Sequence, residues 1–162
     1  MNYWKRIQQL NLKQLFQLTV LFAKQPLLVR PTFIASKRTM IVCDELFGRS
    51  HHKNNRANAF RHAFWNILIC QKTLKWTKNL EKSMLWTQKV TFLYEKATKN
   101  GHLERFMDLH NNAVGRNQFS TIFDKKEDEI IDLLQKKLIT AQKLIKIDQK
   151  EILSKQLTYI ED

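Results

Sequence analysis

The sequence predicts an all-α fold, an irregular bundle of six or seven helices, and three observations lead there. Gly (three) and Pro (two) are rare in 162 residues, whereas a β-sandwich or doubly wound sheet needs many Gly-, Pro- and Asn-Gly-rich turns. Apolar residues recur at helical spacing rather than alternating. Hydrophobic residues make up 43% of the chain, with ten Phe and four Trp, enough for one sizeable core and too many for intrinsic disorder. No repeat or linker divides the sequence. Residues 1–162 are therefore expected to form one domain, with N-terminal helices over 1–47, a motif-bearing core over 48–118 and C-terminal helices over 119–162.

The elements follow in order. Leu12, Leu15, Phe16, Thr19, Phe22 and Ala23 form the apolar stripe of a helical unit over about 3–24, broken near Asn11. Pro26 and Pro31 lack an amide donor and end that unit. The next helix is expected to begin near Pro31 and to run to Phe47, with Gly48 as its C-cap. Residues 48–57 are polar and basic; adjacent His51 and His52 could gather a metal with His62 but are expected in solvent. Helices then follow over about 56–75, 80–99 and 102–116, with Asn100-Gly101 as a break. Asp124 and Glu127 have capping-box spacing for a helix to about 146, and Asp148 and Glu151 have it for a seventh helix to Tyr159.

Charge is spread unevenly. The formal net charge is +13; residues 1–123 hold 20 Lys and Arg against six acids, while residues 124–162 hold eight Lys against nine acids. Such a field favours an acidic ligand or partner, a nucleic acid or an anionic membrane surface, without choosing among them. Trp76 and Trp86 among Lys72, Lys75, Lys78 and Lys82 fit a nucleic-acid surface or a core edge with snorkelling lysines. Oligomeric state is not legible. Cys43 and Cys70 lack zinc-knuckle or CxxC spacing and are expected as buried free thiols, which suits a reducing, cytoplasmic compartment. A single interhelical disulfide stays open. Residues 15–23 loosely resemble a signal-peptide core, but Gln17 and Thr19 interrupt them and no small-x-small site follows, so export also stays open. No segment is expected to span a membrane. No glycine-rich phosphate loop is present, which argues against a nucleotide-driven enzyme.

Two segments read unlike ordinary helix. In the first, Asn58, His62 and Asn66 follow at i, i+4 steps and share a face, with Arg61 and Trp65 beside them. Asn is a poor mid-helix residue because its amide competes for the backbone, so two of them flanking a histidine suggest a polar purpose. In the second, Asp108, Asn111 and Asn112 share a face near Gly115 and Arg116. His110 points elsewhere on a regular helix, unless a local distortion brings it round.

These two motifs, Asn55-x-x-Asn58-Ala59-Phe60-Arg61-His62-Ala63-Phe64-Trp65-Asn66 and Met107-Asp108-Leu109-His110-Asn111-Asn112-Ala113-Val114-Gly115-Arg116, carry a resemblance. Over about residues 46–118 the chain resembles a bacterial family of small domains of unknown function. Its members occur alone or at the ends of secreted wall-associated and toxin-like proteins. The resemblance implies a site but no reaction. A His-Glu pair lies between the motifs in that family, and Tyr94-Glu95 stands in its place here. One candidate ligand or proton carrier is thus missing, which weighs against a metal or acid–base role.

Two readings follow from the residues. In the first, His62, Glu95, Asp108 and His110 are catalytic in a hydrolase-like centre. Asn58, Arg61, Asn66, Asn111, Asn112 and Arg116 then bind ligand, the arginines taking a phosphate or carboxylate. A divalent metal activating water or a metal-free acid–base pair both suit this set, although no HExxH-type spacing supports the metal. In the second, the same residues form a buried hydrogen-bond network that fixes helix register. The protein is then an interaction, adaptor or immunity-type module. An open cleft at His62 favours the first reading, a closed core the second.

Overall fold

The computed structural model describes residues 12–98, 101–147 and 155–162. Among them are six α-helices: α1 (Leu12–Lys24), α2 (Pro26–Phe47), α3 (Arg56–Thr77), α4 (Leu80–Ala97), α5 (His102–Ile122) and α6 (Glu127–Ile139). A 3-10 turn (Gly48–His52) joins α2 to α3, and two-residue strands β1 (Gln142–Lys143) and β2 (Thr158–Tyr159) follow. The all-α expectation holds. No helix among the described residues is long and apolar enough to cross a membrane.

Helix α3 is the axis of the assembly. It packs against α2, α4, α5, α6, the 3-10 turn and β2, so more than half of its residues are buried. Ala59, Phe60, Ala63, Phe64, Ile67, Ile69 and Cys70 are wholly buried. An aromatic row, Phe47–Phe60–Phe64, has ring centroids 5.1 and 5.4 Å apart. Each such side chain contributes about 1.5–3 kcal/mol by leaving water. Two tryptophans place α2 across this core: Trp65 Nε1 donates to Ser36 Oγ (2.8 Å) and Trp86 Nε1 to Thr32 Oγ1 (2.9 Å). Trp86 is therefore a core residue, while Trp76 is exposed. Both cysteines are free, buried thiols, and burial pushes each up to a pKa of about 12, which leaves them unreactive.

Several boundaries differ from the sequence reading. Helix α2 starts at Pro26, whose fixed φ suits a first turn, and Pro31 lies inside it. Gly48 does end the helix: at φ 55° it occupies the region that favours glycine, and its amide donates to the Asp44 carbonyl. Asn55 and Asn79 cap α3 and α4 by accepting from the amides of Asn58 and Lys82. Helix α5 runs past residue 116 to Ile122, because Phe119 and Ile122 continue its buried stripe. The α6 cap is Lys126 rather than Asp124, with Glu129 accepting from the Lys126 amide at 2.9 Å.

Helix α6 ends at Ile139, not near 146, and the chain continues into β1. Of the expected seventh helix, residues 148–154 lie outside the described residues, and Thr158–Tyr159 are strand. The expected break near Asn11 also lies outside them. Strands β1 and β2 run parallel in the register Gln142↔Thr158, Lys143↔Tyr159. Asn54 holds the following turn, its carbonyl accepting from the Ile160 and Glu161 amides.

Helices α3 and α5 approach closely at Ala63 and Gly115. A Cβ at Gly115 would fall on the Ala63 carbonyl oxygen and 2.8 Å from its Cα, and this obstacle is backbone that cannot swing aside. Gly115→Ala is expected to force the helices apart and cost at least about 1–3 kcal/mol, as for overpacked cores. A lower urea midpoint would show it; an unchanged midpoint would refute the close contact.

Candidate functional site

At that close approach three helices bring their polar motifs together. His62 (α3), Glu95 (α4) and Asp108 (α5) are each 1–3% exposed, and Asn66 and Asn112 are wholly buried. Their positions follow from helical spacing. His62 and Asn66 are one turn apart on α3, Asp108 and Asn112 one turn apart on α5, and Thr91 and Glu95 one turn apart on α4.

The hydrogen bonds have a fixed direction. Arg116 Nη1 (2.9 Å) and Thr91 Oγ1 (3.3 Å) donate to Asn66 Oδ1. Asn66 Nδ2 donates to Asn112 Oδ1 (2.6 Å) and to the His62 carbonyl (2.9 Å). Asn112 Nδ2 donates to Glu95 Oε1 (3.1 Å). A guanidinium can only donate and a carboxylate only accept, so these two ends set the orientation of both amides.

His62 joins this chain through Nδ1, which lies 3.1 Å from Asn112 Oδ1 and 3.3 Å from Glu95 Oε1. Both neighbours are acceptors, so Nδ1 carries a proton. The other nitrogen is contested. Nε2 lies 2.9 Å from Arg61 Nη2, a donor, and 3.2 Å from Asp108 Oδ1, an acceptor. Without a proton Nε2 accepts from Arg61; with one it donates to Asp108. Burial lowers the His62 pKa, but Asp108 and Glu95 together outweigh it against the opposition of Arg61. The net is a pKa above the ordinary 6.5.

Arg61 also ties the site to the 3-10 turn. Its Nη1 donates to the His51 carbonyl (2.6 Å) and lies 3.4 Å from His52 Nδ1, and its Nη2 donates to Asn58 Oδ1 (3.3 Å). Asn58 Nδ2 in turn donates to the Lys53 carbonyl (2.6 Å). His51 is wholly buried, contrary to the solvated loop expected. A turn returning over the end of α2 shelters it, and its Nε2 meets Asp44 Oδ1 at 2.8 Å.

Two expected residues are directed elsewhere. His110 Nε2 lies 2.8 Å from the Gln156 carbonyl, away from His62. Asn111 grips the backbone of Thr158 like a neighbouring strand, its Nδ2 donating to the carbonyl and its Oδ1 accepting from the amide, each at 2.9 Å. Conversely, Thr91 enters these networks although the sequence gives it no place there, and His51 joins them buried rather than solvated. The i, i+4 step from Thr91 to Glu95 was the available signal for the first.

The donor atoms of His62, Glu95 and Asp108 lie within 4.8 Å of one another, close enough to gather a cation. However, the carboxylates face different ring nitrogens. An ion shared by Nε2 and Asp108 would leave Glu95 as the orienting partner of Nδ1, and it would first have to displace the Arg61 guanidinium. The arrangement already holds a cation at that place. The three residues therefore fit a proton better than a metal.

Fold and site together define an all-helical domain with a buried Glu–His–Asp cluster. The chain belongs to a family described as a domain of unknown function (DUF6973), whose sequence model matches residues 19–142 and so spans both motifs. No curated protein and no solved structure matches the chain.

Two outcomes test this geometry. The unfolded chain binds the His62 proton with a pKa of about 6.5 and the native chain binds it more tightly. The resulting stabilisation is full below that value and fades as pH rises through the raised native pKa. Denaturation of wild type and His62→Gln between about pH 6 and pH 9 should show a stability difference that shrinks as pH rises. Comparing the two cancels the opposing contribution of His51, whose pKa burial lowers; a difference that does not vary with pH would contradict the assignment. Separately, Asn111→Ala should leave the Thr158 backbone unsatisfied, costing about 1–3 kcal/mol. Hydrogen exchange at the Thr158 amide should accelerate, and unchanged protection there would show that Asn111 does not hold the strand.

Proposed function

We propose that the domain is a hydrolase whose proton carrier is His62. The observation behind this reading is the contested Nε2, within reach of both a donor, Arg61, and a carboxylate, Asp108. A nitrogen that can exchange one partner for the other suits general acid–base work. With Nε2 deprotonated, His62 takes a proton from water as the water oxygen attacks an ester; Nε2 then returns it to the departing oxygen. Glu95 and Asn112 hold Nδ1–H and fix the ring, and Asp108 stabilises the imidazolium.

Arg61, only partly buried, lies over Nε2. An anionic group on the substrate, a phosphate or carboxylate, would draw it away and open that nitrogen. Arg116, partly buried and bonded to neutral Asn66 and Thr91, is the second anion-binding residue. The excess positive charge carried by residues 1–123 would concentrate such substrates, and would serve equally for an acidic partner, a nucleic acid or an anionic membrane surface.

A second reading has its own support. His62, Glu95 and Asp108 are almost fully enclosed, and Asn66 and Asn112 are satisfied. A closed, satisfied network suits a structural core, with the domain acting as an interaction, adaptor or immunity-type module.

Hydrolysis of phosphoester, lipid-ester and cell-wall substrates by wild type, His62→Gln and Asp108→Ala separates the two. The hydrolase reading expects turnover that falls by about 10²-fold or more in His62→Gln with the helical circular-dichroism spectrum kept. The structural reading expects no turnover on any substrate, and a loss of about 3–5 kcal/mol in Asp108→Ala from the broken buried pair. That second pattern would overturn the hydrolase proposal.

A further inference from the structure

A second group of chemically capable side chains lies where α2 passes into the 3-10 turn, and the proton carrier described above makes no use of it. Asp44 sits in the last turn of α2. Gly48, at positive φ, reverses the chain and sets the two turn histidines back over it. His51 Nε2 then lies 2.8 Å from Asp44 Oδ1. The His51 and His52 rings lie side by side with centroids 4.0 Å apart. One donor atom from each of Asp44, His51 and His52 falls within 4.8 Å of the others.

We propose that Asp44, His51 and His52 form a binding site for a divalent transition-metal ion of the zinc, cobalt or nickel class. Two imidazoles and one carboxylate are the donors such ions take, in contrast to the all-oxygen sets of calcium and magnesium. Ligands about 2.0–2.2 Å from a tetrahedral ion stand roughly 3.4 Å apart, so the set needs a contraction of about 1 Å or a little more. The Asp44 side chain is 59% exposed, and His52 is partly exposed, so an ion enters from solvent without opening the core.

His51 is set in advance as a ligand. It is wholly buried, and its Nε2 already faces the Asp44 carboxylate. The ring is therefore desolvated and oriented toward the site before an ion arrives. Its backbone is braced by Arg61, whose Nη1 donates to the His51 carbonyl. That guanidinium lies 3.4 Å from His52 Nδ1, and its charge moderates affinity. Three protein donors leave open positions for water, the pattern of an exchangeable rather than a closed structural site.

The test uses the untagged full chain, stripped by chelator and titrated with Co²⁺, with binding read by visible absorption and equilibrium dialysis. Wild type should bind one Co²⁺ per chain. His62→Gln should still bind one Co²⁺ per chain, which separates this site from the Glu95–His62–Asp108 cluster. Asp44→Asn and His52→Ala change partly exposed side chains and should keep the helical circular-dichroism spectrum while weakening binding by about tenfold or more. Three results would overturn the proposal: no Co²⁺ bound by wild type, binding unchanged in both Asp44→Asn and His52→Ala, or binding lost in His62→Gln alone.

Discussion

Everything at the polar centre depends on how closely α3 can lie against α5. A side chain at residue 115 would meet the backbone at Ala63, so glycine there allows the two helices into contact. That contact delivers His62, one residue before Ala63, to Asp108 and Asn112 on the facing helix. Were the helices further apart, the 2.6 and 3.1 Å contacts of Asn112 with Asn66 and His62 would lengthen together. Helix propensity disfavours glycine here by about 1 kcal/mol relative to alanine, and the polar contacts it permits offset that loss.

Buried charge is the second constraint. Glu95, Asp108 and His62 are all removed from water, an arrangement that is costly unless each charge has an opposite and each polar atom a partner. Arg61 provides opposite charge at one edge, and Arg116 begins the bond chain that ends on Glu95. A donor-only group at one end and an acceptor-only group at the other leave the intervening amides one orientation. Such a chain rigidifies the site, and it confines the freedom that remains to one atom, His62 Nε2.

Much of this was legible in the sequence because helical periodicity carries it. The Asn58–His62–Asn66 face and the Asp108–Asn112 face follow from i, i+4 spacing, whereas Glu95 was marked only by the resemblance to the family. The all-α class follows from the scarcity of turn formers. What periodicity misses is contact with segments distant in the chain. Asn111 shares a helix with Asp108 but turns to Thr158, and His110 turns to Gln156; nothing local marks the tail as their partner. Two-residue strands show no alternation, so β1 and β2 were read as helix. His51 seemed solvated because its neighbours are polar, whereas its burial depends on the path of the turn over α2. The cap of α6 illustrates a smaller failure. Asp124 and Glu127 have the same spacing as Lys126 and Glu129, and only the turn after α5 chooses between them.

Arg61 touches both halves of this chemistry. One guanidinium nitrogen holds the 3-10 turn at His51 and the other rests on His62. A displacement of the turn is therefore felt at the imidazole, and a change of charge at the imidazole is returned to the turn. Thermodynamic linkage requires the two influences to be equal in free energy. An ion bound at the turn and a proton on His62 would, through this one side chain, act as effectors of each other.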